Sequence, residues 1–234
     1  YLDGEPLTQR KYLGETAVAV LGALTARIAV NLADFEHPGL ERELQWDLRR
    51  AGQVALHLLQ AITDMQARDR IAKAMVAAVR RIQPLAEELR IQAIHHDVTD
   101  DNVVSRPDEA GRLIPDGVID FGDILNGWLA ADLAVTCSAL LHHADGNPFF
   151  ILPAIRAYHA VNPLNAAEAR ALWPLIVARA CILVARSEQQ LAVEPDNDYV
   201  LGHIEHERTI FEVAISVPSV VMQQAILAAL DLAD

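Results

Sequence analysis

The chain has 234 residues, 52% of them hydrophobic, which is enough for one sizeable core or two lobes. Thirty-two acidic residues against nineteen basic ones leave a net charge of −13, which argues against nucleic-acid binding through phosphate contacts and against docking on an anionic membrane. Two cysteines, Cys137 and Cys181, stand in apolar surroundings and make neither a disulfide framework nor a zinc site, so a reducing cytoplasm is the expected compartment.

The opening Tyr1-Leu2-Asp3-Gly4 has no initiator Met and no targeting pattern, so the numbering is expected to begin inside a longer polypeptide. The most apolar stretches, 16–33 and 171–185, are interrupted by Arg27 and Arg179 and read as core helices rather than membrane spans. Leu13, Ala17, Leu21, Leu24, Ile28 and Leu32 recur at helical steps and predict a first amphipathic helix, broken at His37-Pro38-Gly39. A second helical run is expected over 40–62. A third follows on Ile71, Met75, Ala78, Ile82, Leu85 and Leu89, with a kink or a break at Pro84.

The middle of the chain changes character. Ile91–Ile94, Val103-Val104 and 117–119 are short β-prone runs, and 105–116, with two prolines and a glycine, reads as a long hairpin loop. Helices then return. Asn165 with Glu168 predicts a capping box, 195–198 a turn, and 220–232 a final helix. The fold class is therefore α+β, mainly helical. Trp46, Trp128, Trp173, Tyr158 and Tyr199 read as packing residues.

The chemistry concentrates in His95-His96-Asp97-Val98-Thr99-Asp100-Asp101-Asn102 and in Ile119-Asp120-Phe121-Gly122-Asp123. A loop leaving one strand and a turn leaving another can bring Asp97, Asn102 and Asp120 to one point. Three oxygen donors without a thiol suit Mg²⁺, a hard cation that is readily shared with phosphates. Carboxylates this close repel one another unless a cation offsets them.

The spacing His-x-Asp-x-x-x-x-Asn followed by Ile-Asp-x-x-Asp resembles the aminoglycoside phosphotransferase/choline kinase group of small-molecule kinases. His37-Pro38, Trp46-Asp47-Leu48-Arg49 and Asp132-Leu133-Ala134 are most similar to its hydroxylysine kinase-like branch. The resemblance implies a C-terminal lobe over 9–234, with 1–8 as hinge, a catalytic loop at 95–102 and a metal-binding turn at 119–123. It implies Asp97 as catalytic base, and Asn102 and Asp120 as ligands of Mg²⁺ carrying ATP or GTP. His95 and Asp132 would brace the loop, and Asp123 and Asp100 would contact substrate or tune the metal. The implied partner is a small hydroxyl acceptor bearing an amine.

His96 stands where that family usually has Gly. The Gly-rich loop and strand lysine of a nucleotide-binding lobe are not found in this chain, so an N-terminal lobe is expected elsewhere and the chain alone is expected to be nearly inactive. Two other readings compete. A metal-dependent phosphohydrolase would use His57, His96-Asp97 and Asp132 and would put His96-Asp97 on a helix. A pseudokinase-like module would only contact a neighbouring domain. His142-His143, and His203 with His206 and Glu207, have the helix spacing of metal ligands. Asp47 and Arg49 either pair with each other or line a substrate cleft.

Overall fold

Apolar residues at helical spacing and polar punctuation between them produce thirteen regular elements among the described residues. They are β1 (Glu5–Pro6), α1 (Glu15–Leu32), α2 (Ala51–Leu58), α3 (Met65–Ile82), β2 (Ile91–Ile94), β3 (Val103–Pro107), β4 (Leu113–Val118), β5 (Leu125–Trp128), α4 (Leu129–Leu140), α5 (Leu152–Val161), α6 (Ala166–Val193), α7 (Asp198–Ile215) and α8 (Ser219–Ala229). The computed structural model describes residues 4–7, 13–194 and 198–232. Tyr1, Leu2 and Asp3 of the expected hinge, the turn at 195–197, and the side chains of Tyr199 and His203 lie outside the described residues.

The helical half follows its sequence pattern with one difference. Asp64 caps α3 by accepting from Gln66 and Ala67, and of the two outcomes expected at Pro84 the break is the one observed: the helix stops at Ile82 and a 3₁₀ segment, Gln83–Glu88, continues it. The run expected over 40–62 is a helix only from Ala51 to Leu58. Asp47 accepts the N–H of Arg49 and starts a 3₁₀ turn at Leu48, so 41–47 remains irregular and is held by its side chains. By length and composition α1 is apolar enough to cross a membrane, a test that its interrupting Arg27 does not make it fail. Here its face of Ala17, Val18, Leu21 and Ala29 is buried, and the helix packs on α5 and α4.

Five strands form where three were expected. β1, β3 and β4 make one antiparallel sheet in the order β1-β3-β4, and β2 pairs with β5 in a second. The hairpin loop is shorter than the prolines imply. β3 and β4 pair out to Pro107 and Leu113, leaving a turn in which Asp108 accepts from the N–H groups of Ala110 and Arg112. Pro115 is tolerated because β4 is an edge strand. β5 is hidden in sequence because Asn126-Gly127 reads as a turn. Gly127 serves close packing instead: a Cβ there would come within 2.7 Å of Ile94 Cδ1.

The core is built around α6, opened by the predicted capping box of Asn165 and Glu168 and packed on α2, α3, α4, α7 and α8. Every residue of α4 is buried. This scaffold holds the loop 95–102 between β2 and β3, and the turn 119–123 between β4 and β5.

Candidate active site

His95 follows β2 and is fully buried. Its Nδ1 accepts the N–H of Asp97 at 3.3 Å, so the ring proton sits on Nε2, which donates to the carbonyl of Ile119 at 3.2 Å. Burial pushes the imidazole pKa down, which keeps it neutral for this arrangement. The ring also meets the edge of Phe121, with centroids 4.5 Å apart. One histidine thus ties the loop to the turn.

His96 takes φ +65°, the left-handed region that glycine enters freely. This is the position where the resembled family carries Gly, and here a buried imidazole occupies it. Asp132, in the first turn of α4 and fully buried, accepts the His96 N–H at 2.7 Å. It is not the cap of its own helix, since the residue at that position is Trp128.

Asp97, Asn102 and the Asp120 turn come together. Asn102 Nδ2 donates to Asp97 Oδ2 at 2.7 Å and to the Asp97 carbonyl at 3.0 Å, and the Asn102 carbonyl accepts the N–H of Ile119 at 2.9 Å. Asp120 also sits at positive φ, +59°, and its Oδ1 accepts the N–H of Gly122 at 3.0 Å. Burial raises the Asp97 pKa, Arg179 opposes that shift, and the carboxylates of Asp123 and Asp120 add to it. Two carboxylates and an amide, all hard oxygen ligands, sit on these two segments, and the neighbouring carboxylates disfavour the Asp97 charge. That donor set fits a divalent cation such as Mg²⁺.

Sequence reasoning missed Glu41, Arg42 and the part played by Arg179, which close this site from other elements. Arg42, inside the expected helix, donates to the carbonyl of Gly122 and, at 2.9 Å, to that of Ile124, clamping the turn. Glu41 accepts from Asn126. Asp47 and Arg49 form a bidentate ion pair with each other, with the Asp47 carboxylate buried. Arg179 of α6, noted only as an interruption in an apolar run, is 5% exposed and places Nη2 3.4 Å from Asp97 Oδ1. Its guanidinium lies 4.5 Å from the centre of the Trp46 ring, which Arg186 also approaches at 5.2 Å. A charged residue on the buried face of a helix was the available signal.

Asp100 belongs to a separate cluster. It is 4% exposed, and its Oδ2 lies 3.0 Å from His143 Nε2 and 3.2 Å from His142 Nε2. His142 stacks on His206, with centroids 5.1 Å apart. Among the described residues, Asp100, His142 and His143 are the group of His, Cys, Asp or Glu ligands close enough to share an ion. His57 is exposed on α2, and His96-Asp97 lies in a loop, so the donor set expected for a phosphohydrolase is not assembled.

A profile of the phosphotransferase enzyme family matches residues 1–173. Hydroxylysine kinase of Danio rerio is 24% identical over 189 residues, covering 77% of this chain and 52% of that protein. Homoserine kinase of Pseudomonas aeruginosa (strain UCBPP-PA14) is 31% identical over 153 residues, covering 63% of this chain and 43% of that protein. The chain therefore spans about half the length of the curated relatives it matches. The solved structure of a microcompartment-associated aminopropanol kinase shares the fold with a TM-score of 0.65 at 17% identity, covering 100% of this chain and 69% of that one. With its mainly helical α+β fold and its His-x-Asp-x-x-x-x-Asn loop, the chain belongs to the phosphotransferase enzyme family of small-molecule kinases.

Proposed function

We propose that this chain is the helical catalytic lobe of a kinase that transfers the γ-phosphoryl group of ATP or GTP to a hydroxyl of a small, amine-bearing acceptor. The observation that carries this reading is the contact of Asn102 with Asp97 at 2.7 Å, one peptide from the Ile119 N–H bond that positions Asp120. Asp97 is the catalytic base: it accepts the acceptor's hydroxyl proton, and its burial favours proton uptake. Asn102 and Asp120 hold Mg²⁺, which when bound neutralises charge on the nucleotide phosphates. His95 keeps loop and turn in register, and Asp132 fixes the backbone before Asp97. Phosphoryl transfer depends mainly on alignment and charge stabilisation, and these residues supply the first.

The activity belongs to the complete protein, which pairs this lobe with a nucleotide-binding lobe. The chain alone is nearly inactive, because the groups that clamp the phosphates contribute several factors of ten. A reducing compartment, and no nucleic-acid or membrane partner, go with this reading. Titration of Mg²⁺ with a non-hydrolysable ATP analogue into the complete protein tests it. Wild type binds, and Asp120→Ala binds at least about tenfold more weakly. No binding by wild type contradicts the kinase reading and leaves a pseudokinase-like interaction module.

A further inference from the structure

Asp97 divides its two oxygens between two sides of the site. Oδ2 faces Asn102, on the side of the Asp120 turn, and Oδ1 faces Arg179, on the side of α6 and Trp46. The Arg179 side chain is 6% exposed, and its Nη1 is buried with no hydrogen-bond partner among the described residues. Two other guanidinium–carboxylate pairs in this chain, each with a buried carboxylate, close a tight fork: Arg49 reaches Asp47 at 3.0 and 2.8 Å, and Arg90 reaches Glu168 at 2.8 and 2.7 Å. Arg179 makes one long contact of 3.4 Å and leaves a buried donor unused. A buried, charged donor without an acceptor is costly, so its persistence beside the reacting centre points to an acceptor that arrives with the ligand.

A guanidinium offers its N–H donors in one plane and so selects a planar anion with two equivalent oxygens, which is a carboxylate. Arg186, over the same Trp46 ring, adds positive charge, while Asp97, Asp123 and Glu207 supply the negative charge on the other sides of Arg179. The nucleotide phosphates belong on the opposite, Asn102 side of Asp97, which leaves the acceptor as the source of the anion.

Resting on the kinase reading above, we infer that Arg179 binds a carboxylate of the acceptor, so that the molecule phosphorylated is a hydroxy amino acid and not a simple amino alcohol. The acceptor lies with its hydroxyl at Asp97 and its carboxylate on Arg179. Its amine faces Asp123, whose charge acts on both Asp97 and Arg179.

Two acceptor pairs that differ only by the carboxylate test this in the complete protein: homoserine against 3-aminopropan-1-ol, and 5-hydroxylysine against 1,5-diaminopentan-2-ol. Wild type is expected to prefer an acid over its decarboxylated partner by roughly 10- to 100-fold in kcat/KM. Arg179→Gln raises KM for that acid by a similar factor and leaves the KM of Mg·ATP and of the amino alcohol unchanged; Arg179→Lys falls between. Equal use of acid and amino alcohol by wild type overturns the inference without any variant. So does a rise in the KM of Mg·ATP in Arg179→Gln, which assigns the guanidinium to the nucleotide. A fall in kcat for both acceptors with no rise in KM for the acid also overturns it, by assigning Arg179 to Asp97 alone. If wild type turns over none of the four, calorimetric binding of the same pairs decides, and no preference for the acids overturns it. Failure of the kinase reading is seen separately, as absence of Mg·ATP binding by wild type.

Discussion

Asp132 accepts the main-chain N–H of His96 at 2.7 Å, joining the buried first turn of α4 to the residue that precedes Asp97. His96 holds a left-handed conformation that costs a non-glycine residue about 1–2 kcal/mol, so the bond fixes a backbone that would otherwise relax. Asp132→Ala leaves that N–H without its acceptor and is expected to lower stability by about 1–3 kcal/mol, measured by urea denaturation, with kcat falling as the loop loses its anchor. Asp132→Asn keeps an acceptor oxygen and retains most of both.

The same carboxyl sets a pH dependence. Burial pushes the Asp132 pKa up to about 7, above its unfolded value, so the folded state favours the protonated form. Its stabilising contribution is complete below the unfolded pKa near 4 and is lost as pH rises through about 7. Thermal melts of wild type and Asp132→Asn across that window should show a declining contribution in wild type that the variant lacks.

The Asp100 cluster behaves in the opposite sense on its acid side. Burial works against the Asp100 charge, and the hydrogen bonds from His142 and His143 outweigh it, holding the carboxyl well below its usual range. Burial likewise opposes charge on His142, and the Asp100 bond outweighs it and raises that pKa. The Asp100 contribution is present above about pH 4 and is lost as pH falls further. The His142 contribution is complete below about pH 6.5 and is lost as pH rises through the raised value. The stability difference between wild type and Asp100→Asn should therefore be largest between roughly pH 4 and 6.5. A difference that is flat with pH would contradict the pairing.

Packing of α1 on α5 offers a prediction independent of the site. A Cβ on Gly22 would overlap the backbone carbonyl of Ala154, and neither helix can yield locally. Gly22→Ala is expected to destabilise by about 1–3 kcal/mol despite the better helix propensity of Ala, read from denaturation midpoints.

Much of the site was legible because its residues are close in sequence. His95, Asp97 and Asn102 share one loop, and Asp120 and Asp123 share one turn, so two segments carry the constellation once short strands are recognised on either side. What escaped came from elements whose local pattern says something else. Arg42 lies where apolar spacing reads as continuous helix, although the helix begins only at Ala51, after the 3₁₀ turn that Asp47 caps. β5 is concealed by Asn126-Gly127, whose glycine answers to the Ile94 side chain rather than to a turn. Arg179 looked like an interruption in an apolar run because periodicity cannot tell a core-facing position from a site-facing one. The Asp100–His142–His143 cluster joins residues some forty positions apart, and only the packing of α4 brings them together.

The most direct test of the account is single-turnover phosphoryl transfer by the complete protein, wild type against Asp97→Asn, with Mg·ATP affinity measured alongside. The account predicts a rate lower by about 10²- to 10⁴-fold in the variant with nucleotide affinity unchanged, as loss of a positioned base requires. Equal rates in the two proteins would contradict it, because Asp97 would then accept no proton in the reaction.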